Sequence, residues 1–368
     1  MTSGARLRLA RQARGFSQQQ LAGMAGVSRQ AVSAVESGLS DPSLRVALAL
    51  TQALGMTVEE LFGSAETIPP VQARPVGPIG PAGRVELAPM GDTVVALPLA
   101  GATVSRAGFL PAGGLAAGGL AAGGLAAEVR PIGPLRPTVV VAGCDPALPL
   151  LEEPLSLLDP PIAFSWWPCS SAEALRLAAR GMVHAAGAHL RGPSGEYNTG
   201  AAAELLAGGG EVVGFSAWRE GLVLGPAAAG ATGVADLAGT GLRLVNRESG
   251  AEARRVLDRE LHLAGVGADQ VAGYGTAAAG HLQVAGAIAA GLADAGVASE
   301  PAALAYSLTF LPLAAERFDL VIPAAQSGSR EVQALLRVLG SRWLLDQLAS
   351  LPGYGPASCG QHLATLPS

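Results

Sequence analysis

Residues 17–38 read SQQQLAGMAGVSRQAVSAVESG, and this stretch predicts the fold of the N-terminal part of the chain. Ser17 can cap a helix over QQQLAGMA by accepting a backbone N–H from its first turn, and Ser28 can cap a second helix over RQAVSAVES in the same way. Between the two helices, Gly26 supplies the positive φ that a tight turn needs. A helix, a tight turn and a second helix predict a helix-turn-helix, whose second helix enters the major groove of DNA.

The wider pattern is S-Q-x-x-L-A-x-x-x-G-V-S-x-x-x-V-S-x-x-E-x-G, followed by D-P-S-L and L-G-M-T-V-E-E-L-F. Over residues 5–63 it closely resembles the Xre/Cro-type helix-turn-helix DNA-binding domains. The resemblance implies an all-α head over residues 1–63 with double-stranded operator DNA as its partner. It assigns Ser28, Arg29, Gln30 and Ser33 to base edges, Arg14 to a phosphate, and Gln18 to a phosphate or to support of the recognition helix. A helical bundle used for protein contacts is the alternative.

Composition and charge narrow the classes of function. All 24 basic residues of the 368-residue chain are arginine, which excludes a Schiff-base or P-loop lysine. Residues 1–62 have a net charge of +2 and the remainder −7, as expected for a small nucleic-acid module on an acidic body. Cys144, Cys169 and Cys359 have no CxxC spacing and indicate neither a disulfide framework nor a zinc site. Without an apolar signal core or a spanning run, we expect a cytoplasmic protein with no membrane partner.

A connector rich in proline, glycine and alanine follows over residues 64–137. Proline tracts flank GGLAAGGLAAGGLAA at 113–127, and such composition favours extended or flexible chain. Between the tracts, residues 84–99 alternate apolar side chains around Met90-Gly91-Asp92, which is typical of a short hairpin. We therefore expect a mobile linker interrupted by one possible β-hairpin.

From Thr138 onward, strand-like runs such as TVVVAGCD, IAFSWW and FDLVIP alternate with helical stretches, which predicts a parallel α/β sheet. In such sheets ligands bind beyond the carboxyl ends of the strands, where helix N-termini offer free N–H groups. Small or polar residues stand at those positions: Cys144-Asp145, Ser170-Ser171, residues 247–250 and residues 274–276.

Six strings resemble, in aggregate, a cytoplasmic periplasmic-binding-protein-like domain found fused to helix-turn-helix modules: VVAGCDPALPLL, SSAEALRLAARGMVHAAGAHL, SGEYN, NRESGAEARRVLD, GHLQVAGAIAAGLADAGVASEPAA and LTFLPLAAERFDLVIP. That domain is related to molybdate- and tungstate-binding transport proteins, and the resemblance spans residues 138 to about 340. It implies a two-lobed α/β body of type II over residues 138–352, followed by a tail at 353–368. Crossover strands near Gly221–Leu224 and Asp319–Ile322 would let the lobes close on a ligand. The fold class is thus multi-domain: an all-α helix-turn-helix head and a two-lobed α/β body.

The oxyanion-binding relatives hold their ligand with serine hydroxyls and backbone N–H groups, so the resemblance implies molybdate or tungstate as ligand. The matching positions are Asp145 with its loop, Ser170, Ser171, Ser249 and Gly250, with Arg247 and Arg254 adding positive charge. Tyr274 and His189, at the ends of predicted strands, complete the candidate ligand-binding residues. Cys144-Asp145 stands where the transport relatives often have serine or threonine. Because a carboxylate beside a dianion is unfavourable, another small anion, a metabolite or a cationic group stays open.

Catalysis and metal binding have weaker support. His184, His189 and His281 could ligate a metal, but no Cys or carboxylate completes a recognisable set, so packing or capping is favoured and no metal or cofactor is predicted. The chain has no G-x-S-x-G elbow, HExxH or Walker loop, and we predict no catalytic residue and no enzyme activity. The favoured function is a one-component, homodimeric transcriptional regulator that senses a small ligand. A ligand-independent DNA-binding protein with an oligomerising body, and an enzyme or solute-capture protein with a vestigial head, are the alternatives.

Overall fold

The computed structural model describes residues 3–62, 69–77, 84–99, 108–109, 126–192, 194–356 and 358–368. The chain divides into two compact units, Met1–Pro69 and Pro70–Ser368, which we call the head and the body. No helix among the described residues is long and apolar enough to cross a membrane.

The head is a bundle of five short helices: α1 (Ser3–Ala13), α2 (Gln18–Ala25), α3 (Arg29–Glu36), α4 (Leu44–Leu54) and α5 (Val58–Phe62). Serine caps set the predicted starts of α2 and α3: Ser17 accepts from the Gln20 amide and Ser28 from the Ala31 amide. Gly26 has φ 64°, the left-handed conformation that the turn requires. The helices bury a common apolar core: Leu7, Leu21, Val32, Leu50, Leu54 and Leu61.

The body begins with a closed five-stranded barrel, where we expected a mobile linker over residues 64–137. Its strands are β1 (Val71–Pro75), β2 (Arg84–Met90), β3 (Thr93–Pro98), β4 (Gly108–Phe109) and β5 (Ala127–Pro131), in the order β1-β3-β2-β4-β5. The predicted hairpin is confirmed as β2–β3, in which Met90 pairs with Thr93. Most of the GGLAA repeat lies outside the described residues.

The barrel forms because its alternating apolar residues are buried in two places, in a cluster of barrel residues that includes Val85 and Leu87 and against the following α/β part. Met90, Val95 and Leu97 pack in one cluster with Val140 and Leu175 of the following α/β part. The prediction of a mobile linker was wrong for the described strands. It rested on the proline and glycine content, whereas the alternation of apolar residues in this segment is the pattern of β-strands.

The α/β part has nine strands, of which β10 to β12 and β6 to β8 belong to two different lobes. Its strands are β6 (Thr138–Gly143), β7 (Ala163–Pro168), β8 (Ala185–Ala188), β9 (Gly210–Leu224), β10 (Leu244–Arg247), β11 (Ala277–Ala278), β12 (Ala295–Ser299), β13 (Thr309–Pro323) and β14 (His362–Leu366). Its helices are α6 (Glu152–Ser156), α7 (Ser171–Ala179), α8 (Thr199–Leu205), α9 (Glu252–Leu263), α10 (His281–Ala289), α11 (Glu300–Ala305), α12 (Ala324–Ser327), α13 (Arg330–Leu339) and α14 (Arg342–Ser350).

The predicted crossover strands are confirmed as β9 and β13, but they are longer than expected. These two strands pair antiparallel along their whole length, from Gly210 opposite Pro323 to Leu224 opposite Thr309. The sheet is parallel only within each lobe, where β6 pairs with β7 and β8, and β10 pairs with β11 and β12. The prediction of a wholly parallel sheet therefore needs this correction.

Three other boundaries differ from the prediction. The expected C-terminal tail contains β14, which pairs with the first half of β9, so the segment belongs to the sheet. Helix α9 begins at Glu252 rather than Ser249, since Ser249 and Gly250 form a turn. The helix expected near Thr276 begins at His281 instead, because residues 277–278 pair with β10 as strand β11.

Candidate functional site

The head presents an exposed recognition helix. Ser28, Arg29, Gln30 and Ser33 lie at exposed positions of α3 and its cap. Ser28 Oγ already accepts the Ala31 amide at 3.1 Å, so part of its hydrogen-bonding capacity serves the cap. The exposed side chains of α3 can therefore reach a nucleic acid.

Gln18, which was predicted to contact a phosphate or to support the recognition helix, forms a hydrogen bond with Glu36 at the end of α3. Gln18 Nε2 donates to Glu36 Oε2 at 2.9 Å, and Arg11 donates to the same carboxylate from Nε at 2.6 Å and Nη2 at 3.0 Å. Glu36 is buried, and this ion pair ties α1, α2 and α3 together. Arg14 is exposed at the end of α1, where its guanidinium donates to Ala10 O at 3.3 Å.

The body holds a second site, a buried polar cluster where strands end between the two lobes. Its members are Cys144 after β6, Ser171 at the start of α7, His189 after β8, Arg247 at the end of β10, His281 at the start of α10, Ser299 at the end of β12, Glu220 in β9 and Glu316 in β13. None of these residues is more than 4% exposed. Strand ends and helix starts converge here as the two-lobed fold predicts.

On the first lobe, His189 is the centre of the cluster. Its Nε2 lies 3.3 Å from Cys144 Sγ, and its Nδ1 lies 3.7 Å from Glu316 Oε2. Its backbone N–H donates to Ser171 Oγ at 3.2 Å, which links the start of α7 to the end of β8. The ring also lies against the Trp218 ring, with 5.4 Å between centroids.

On the second lobe, Arg247 is fully buried, and only part of its guanidinium is paired. Its Nε and Nη2 donate to the Glu248 carboxylate at 2.8 and 2.9 Å. His281 Nδ1 accepts from the Ser299 amide at 3.2 Å and lies 3.5 Å from Glu220 Oε1. The two histidine rings meet across the lobes with 5.7 Å between centroids.

Burial and mutual charge shift the titration of this cluster. Burial and the Glu316 carboxylate raise the pKa of Glu220, and although His189 and Arg247 oppose them, the net pKa is about 7. For His189, burial lowers the pKa, but Cys144, Glu316 and Glu220 outweigh it and leave the pKa raised. Burial and the positive charges of Arg247 and His189 lower the pKa of His281 well below its usual value.

Among the described residues, six buried side-chain nitrogen and oxygen atoms have no hydrogen-bond partner, and all six belong to this cluster: His189 Nδ1, Glu220 Oε1, Arg247 Nη1, His281 Nε2, Ser299 Oγ and Glu316 Oε2. A buried polar atom without a partner costs about 1–3 kcal/mol, so proteins rarely accumulate them without a reason. Their concentration between two lobes makes this cluster the candidate ligand site of the body.

The structure distributes the predicted ligand-binding residues unevenly. Ser171, His189 and Arg247 belong to the cluster. Ser170 caps α7 and meets Gly250 across the lobes, since a Cβ added to Gly250 would lie 3.6 Å from Ser170 Oγ.

Asp145 is buried beside the cluster, but its hydrogen bonds are internal. Its Oδ1 accepts from the Ala147 amide at 2.8 Å and from the Tyr354 hydroxyl at 2.7 Å, and its Oδ2 accepts from Ser216 Oγ at 2.6 Å. Because its three donors all come from the protein, Asp145 connects the loop after β6 to Ser216 in β9 and to Tyr354.

The remaining predicted residues lie away from the cluster. Ser249 is exposed in the turn before α9. The Arg254 guanidinium lies 4.9 Å above the Tyr274 ring and donates to Arg247 O, while the Tyr274 hydroxyl donates to Asp258 Oδ1 at 2.6 Å. Arg254 and Tyr274 therefore pack against the strand that carries Arg247.

Sequence reasoning missed the two glutamates and Ser299. It placed Cys144 beyond a strand end and favoured packing or capping for His281 over metal binding. Glu220 and Glu316 lie on β9 and β13, where a charged residue beside alternating apolar positions looks like an ordinary exposed one. His281 and Ser299 could have been found from the sequence, because they lie at a helix start and at a strand end. The same criterion selected Ser170 and Arg247.

Comparisons with known families agree with this architecture. The family model described as PBP superfamily domain matches residues 153–340, and a helix-turn-helix family model matches residues 7–61. The chain belongs to the PBP superfamily domain family and carries an Xre-type helix-turn-helix at its N-terminus.

Two curated relatives match shorter stretches. The uncharacterized protein YvgK of Bacillus subtilis is 35% identical over 119 residues, which are 32% of this chain and 38% of YvgK, so the match spans well under half of that relative. An uncharacterized protein from the 5′ region of the ferredoxin 2Fe-2S gene of Clostridium pasteurianum is 30% identical over 112 residues, 30% of this chain and 99% of that protein.

Two solved structures resemble separate parts of the chain. The restriction-modification controller protein C.AhdI of Aeromonas hydrophila is 43% identical over 16% of this chain and 91% of its own, with a TM-score of 0.16. The effector-binding domain of QuiR in complex with shikimate is 10% identical over 55% of this chain and 95% of its own, with a TM-score of 0.42.

Proposed function

We propose that this protein is a one-component transcriptional regulator that binds operator DNA through α3 and senses a small ligand in the buried polar cluster. The observation that carries the proposal is the set of six unpartnered polar atoms between the lobes of a body attached to a helix-turn-helix. Such atoms favour a bound ligand, because a ligand can restore their hydrogen bonds. We propose binding rather than catalysis as the task of the body.

The proposed signal is closure of the lobes. Cys144 and His189 belong to the first lobe and Arg247 and His281 to the second, so a ligand that contacts both favours the closed arrangement. The barrel packs on the first lobe and is the part of the body that directly follows the head in the chain. A ligand can shift DNA binding only by its differential affinity for the two states, typically about 1–3 kcal/mol.

The proposed regulator acts as a homodimer on an operator with two half-sites, about 34 Å apart or a multiple of that distance. Operator selection from a random DNA library with the full-length protein tests this. We expect a palindromic site, for which Gln30→Ala weakens binding and relaxes base preference by about 1–3 kcal/mol per lost base contact. Arg8→Ala, which removes a charge from α1, is the control. Failure to select any site would refute the proposal.

Molybdate or tungstate stays the ligand that the sequence resemblance predicts. Arg247 Nη1 and Ser299 Oγ are buried donors that support an oxyanion. Glu220 and Glu316 oppose it, because a dianion beside an ionised carboxylate is repelled in a buried site.

A thermal-shift titration with molybdate, tungstate, sulfate and phosphate tests the oxyanion. Ligand at 100 times its dissociation constant adds about 2.7 kcal/mol to the folded state, which is easily measured. If the oxyanion binds in the cluster, Ser171→Ala reduces the shift and Ser249→Ala, at an exposed position, does not. A shift with none of the four anions would rule out the oxyanion and leave the regulator to be tested with other ligands.

A further inference from the structure

We propose that Cys144, His189 and His281 bind a borderline or soft divalent metal ion, with Zn²⁺ as the prime example. This inference rests on the proposed function in that it names the class of ligand for the same cluster. One ligand atom from each residue lies within 4.8 Å of the other two, and all three residues are buried. A thiolate and imidazoles are the ligands that select zinc and related metals over magnesium or calcium.

The distances are close to those of a metal centre. With Zn–S near 2.3 Å and Zn–N near 2.0–2.1 Å, tetrahedral coordination places a sulfur and a nitrogen ligand about 3.6 Å apart. The 3.3 Å between Cys144 Sγ and His189 Nε2 is close to this separation. His281 belongs to the other lobe, so small movements of the lobes towards each other bring its ring nitrogen to the same point.

Two carboxylates stand where the outer partners of metal-bound histidines stand. Glu316 Oε2 lies 3.7 Å from His189 Nδ1, and Glu220 Oε1 lies 3.5 Å from His281 Nδ1. A histidine that binds metal through one nitrogen carries its proton on the other and usually donates it to a carboxylate, carbonyl or water. Each histidine here has a glutamate on its Nδ1 side.

Metal binding through Nε2 of both histidines provides partners for four of the six unpartnered atoms. His281 Nε2 binds the metal directly, His189 Nδ1 donates to Glu316 Oε2, and Glu220 Oε1 accepts from His281 Nδ1. The Ser299 amide, which donates to His281 Nδ1 at 3.2 Å, has to release that nitrogen. Arg247 Nη1 and Ser299 Oγ are not explained by the metal and stay available to a further ligand.

The charges of the cluster also favour a cation. The Arg247 guanidinium is paired with Glu248 through two hydrogen bonds, so its single charge is shared between Glu248 and the carboxylates of the cluster. A dication compensates a thiolate and one carboxylate at once. Because Cys144 and His189 lie on one lobe and His281 on the other, the metal ion joins the lobes and stabilises their closed arrangement.

The test is a titration of the full-length, chelator-treated protein with Co²⁺, whose tetrahedral thiolate complexes have visible d–d bands and a sulfur-to-cobalt charge-transfer band. We expect one Co²⁺ per chain, both spectral features, and loss of these features when Zn²⁺ is added. Cys144→Ser should remove the charge-transfer band, whereas Cys359→Ser, at a buried cysteine outside the cluster, should keep it. Glu316→Gln should weaken metal affinity by about 10–100-fold, the usual effect of losing an outer partner.

The outcomes separate the metal site from the regulator. Absence of a charge-transfer band in the wild type, or its persistence in folded Cys144→Ser, would overturn the metal site. If Cys144→Ser does not fold, His281→Gln replaces it, and an unchanged cobalt spectrum in that variant would overturn the site as well. Operator binding is measured on the same samples: a cobalt site without operator binding supports the metal site and refutes the regulator.

Discussion

Glu36→Ala should destabilise the head and leave the stability of the body unchanged. Glu36 is buried, and Arg11, whose side chain is 11% exposed, gives it two hydrogen bonds of 2.6 and 3.0 Å. Removing one partner of a buried ion pair typically costs about 3–5 kcal/mol, because the other charge stays buried without compensation. Arg11 Nη1 keeps its hydrogen bond to Phe16 O, so we expect the lower half of that range.

Hydrogen exchange of the full-length protein measures this locally. A loss of 3–4 kcal/mol corresponds to about 100- to 1000-fold faster exchange of the protected amides in residues 3–62. All four tryptophans lie in the body, so their fluorescence on urea denaturation should be unchanged. Arg8→Ala is the control: Arg8 is 52% exposed and 3.8 Å from Glu36, and such a pair contributes under about 1 kcal/mol.

The same ion pair predicts how the head responds to acid. Burial raises the pKa of Glu36, but hydrogen bonds from Arg11 and Gln18 outweigh it and hold the pKa below its usual value of 4.5. The unfolded chain therefore binds this proton more tightly, and the stabilisation, present above pH 4.5, is lost as the pH falls.

The mutation experiment has two outcomes that would refute the reasoning. Either the amides of the head exchange at the wild-type rate in Glu36→Ala, or Arg8→Ala has an effect as large as Glu36→Ala.

Three further predictions concern the body. Gly187→Ala places a Cβ 2.2 Å from Phe318 Cζ and should lower the free energy of unfolding by about 1–3 kcal/mol, measured by tryptophan fluorescence in urea. Burial lowers the pKa of His184 from 6.5 to about 4, so the unfolded chain takes up this proton at a higher pH than the folded chain. The free energy of unfolding of the wild type should therefore fall by about 3 kcal/mol between pH 6.5 and pH 4. His184→Gln should reduce this loss. Tyr354→Phe removes a 2.7 Å hydrogen bond to the buried Asp145 carboxyl and should cost about 1–3 kcal/mol in the same urea assay.

Each of these has a matched control. Gly208→Ala adds a Cβ with nothing within 4 Å and should have little effect. His262→Gln, at an exposed position, should keep the wild-type pH profile. Tyr306→Phe removes a hydroxyl without a hydrogen bond to the described residues and should leave stability unchanged. If a control changes stability as much as its partner, the structural explanation for that pair fails.

The helix-turn-helix was predictable from sequence because the interactions that define it are local. The cap of Ser17 on the Gln20 amide and the cap of Ser28 on the Ala31 amide each span three residues, and Gly26 adopts its turn conformation by itself. The two-lobed body was predictable as a class, since strand runs and helix starts alternate in order. The barrel was not, because its strands bury their apolar residues partly among themselves and partly against the first lobe, and both are contacts between distant parts of the chain.

The sequence by itself determined the helix-turn-helix head, the order of strands and helices in the body, and part of the buried polar cluster, such as Ser171, His189 and Arg247. Only the tertiary structure decided that Cys144 lies 3.3 Å from a histidine 45 residues away, and that Glu220 and Glu316 point into the same cluster. The physical reason is that these charged side chains are buried by the pairing of β9 with β13 and by the closure of two lobes. Neither event leaves a local pattern in the chain.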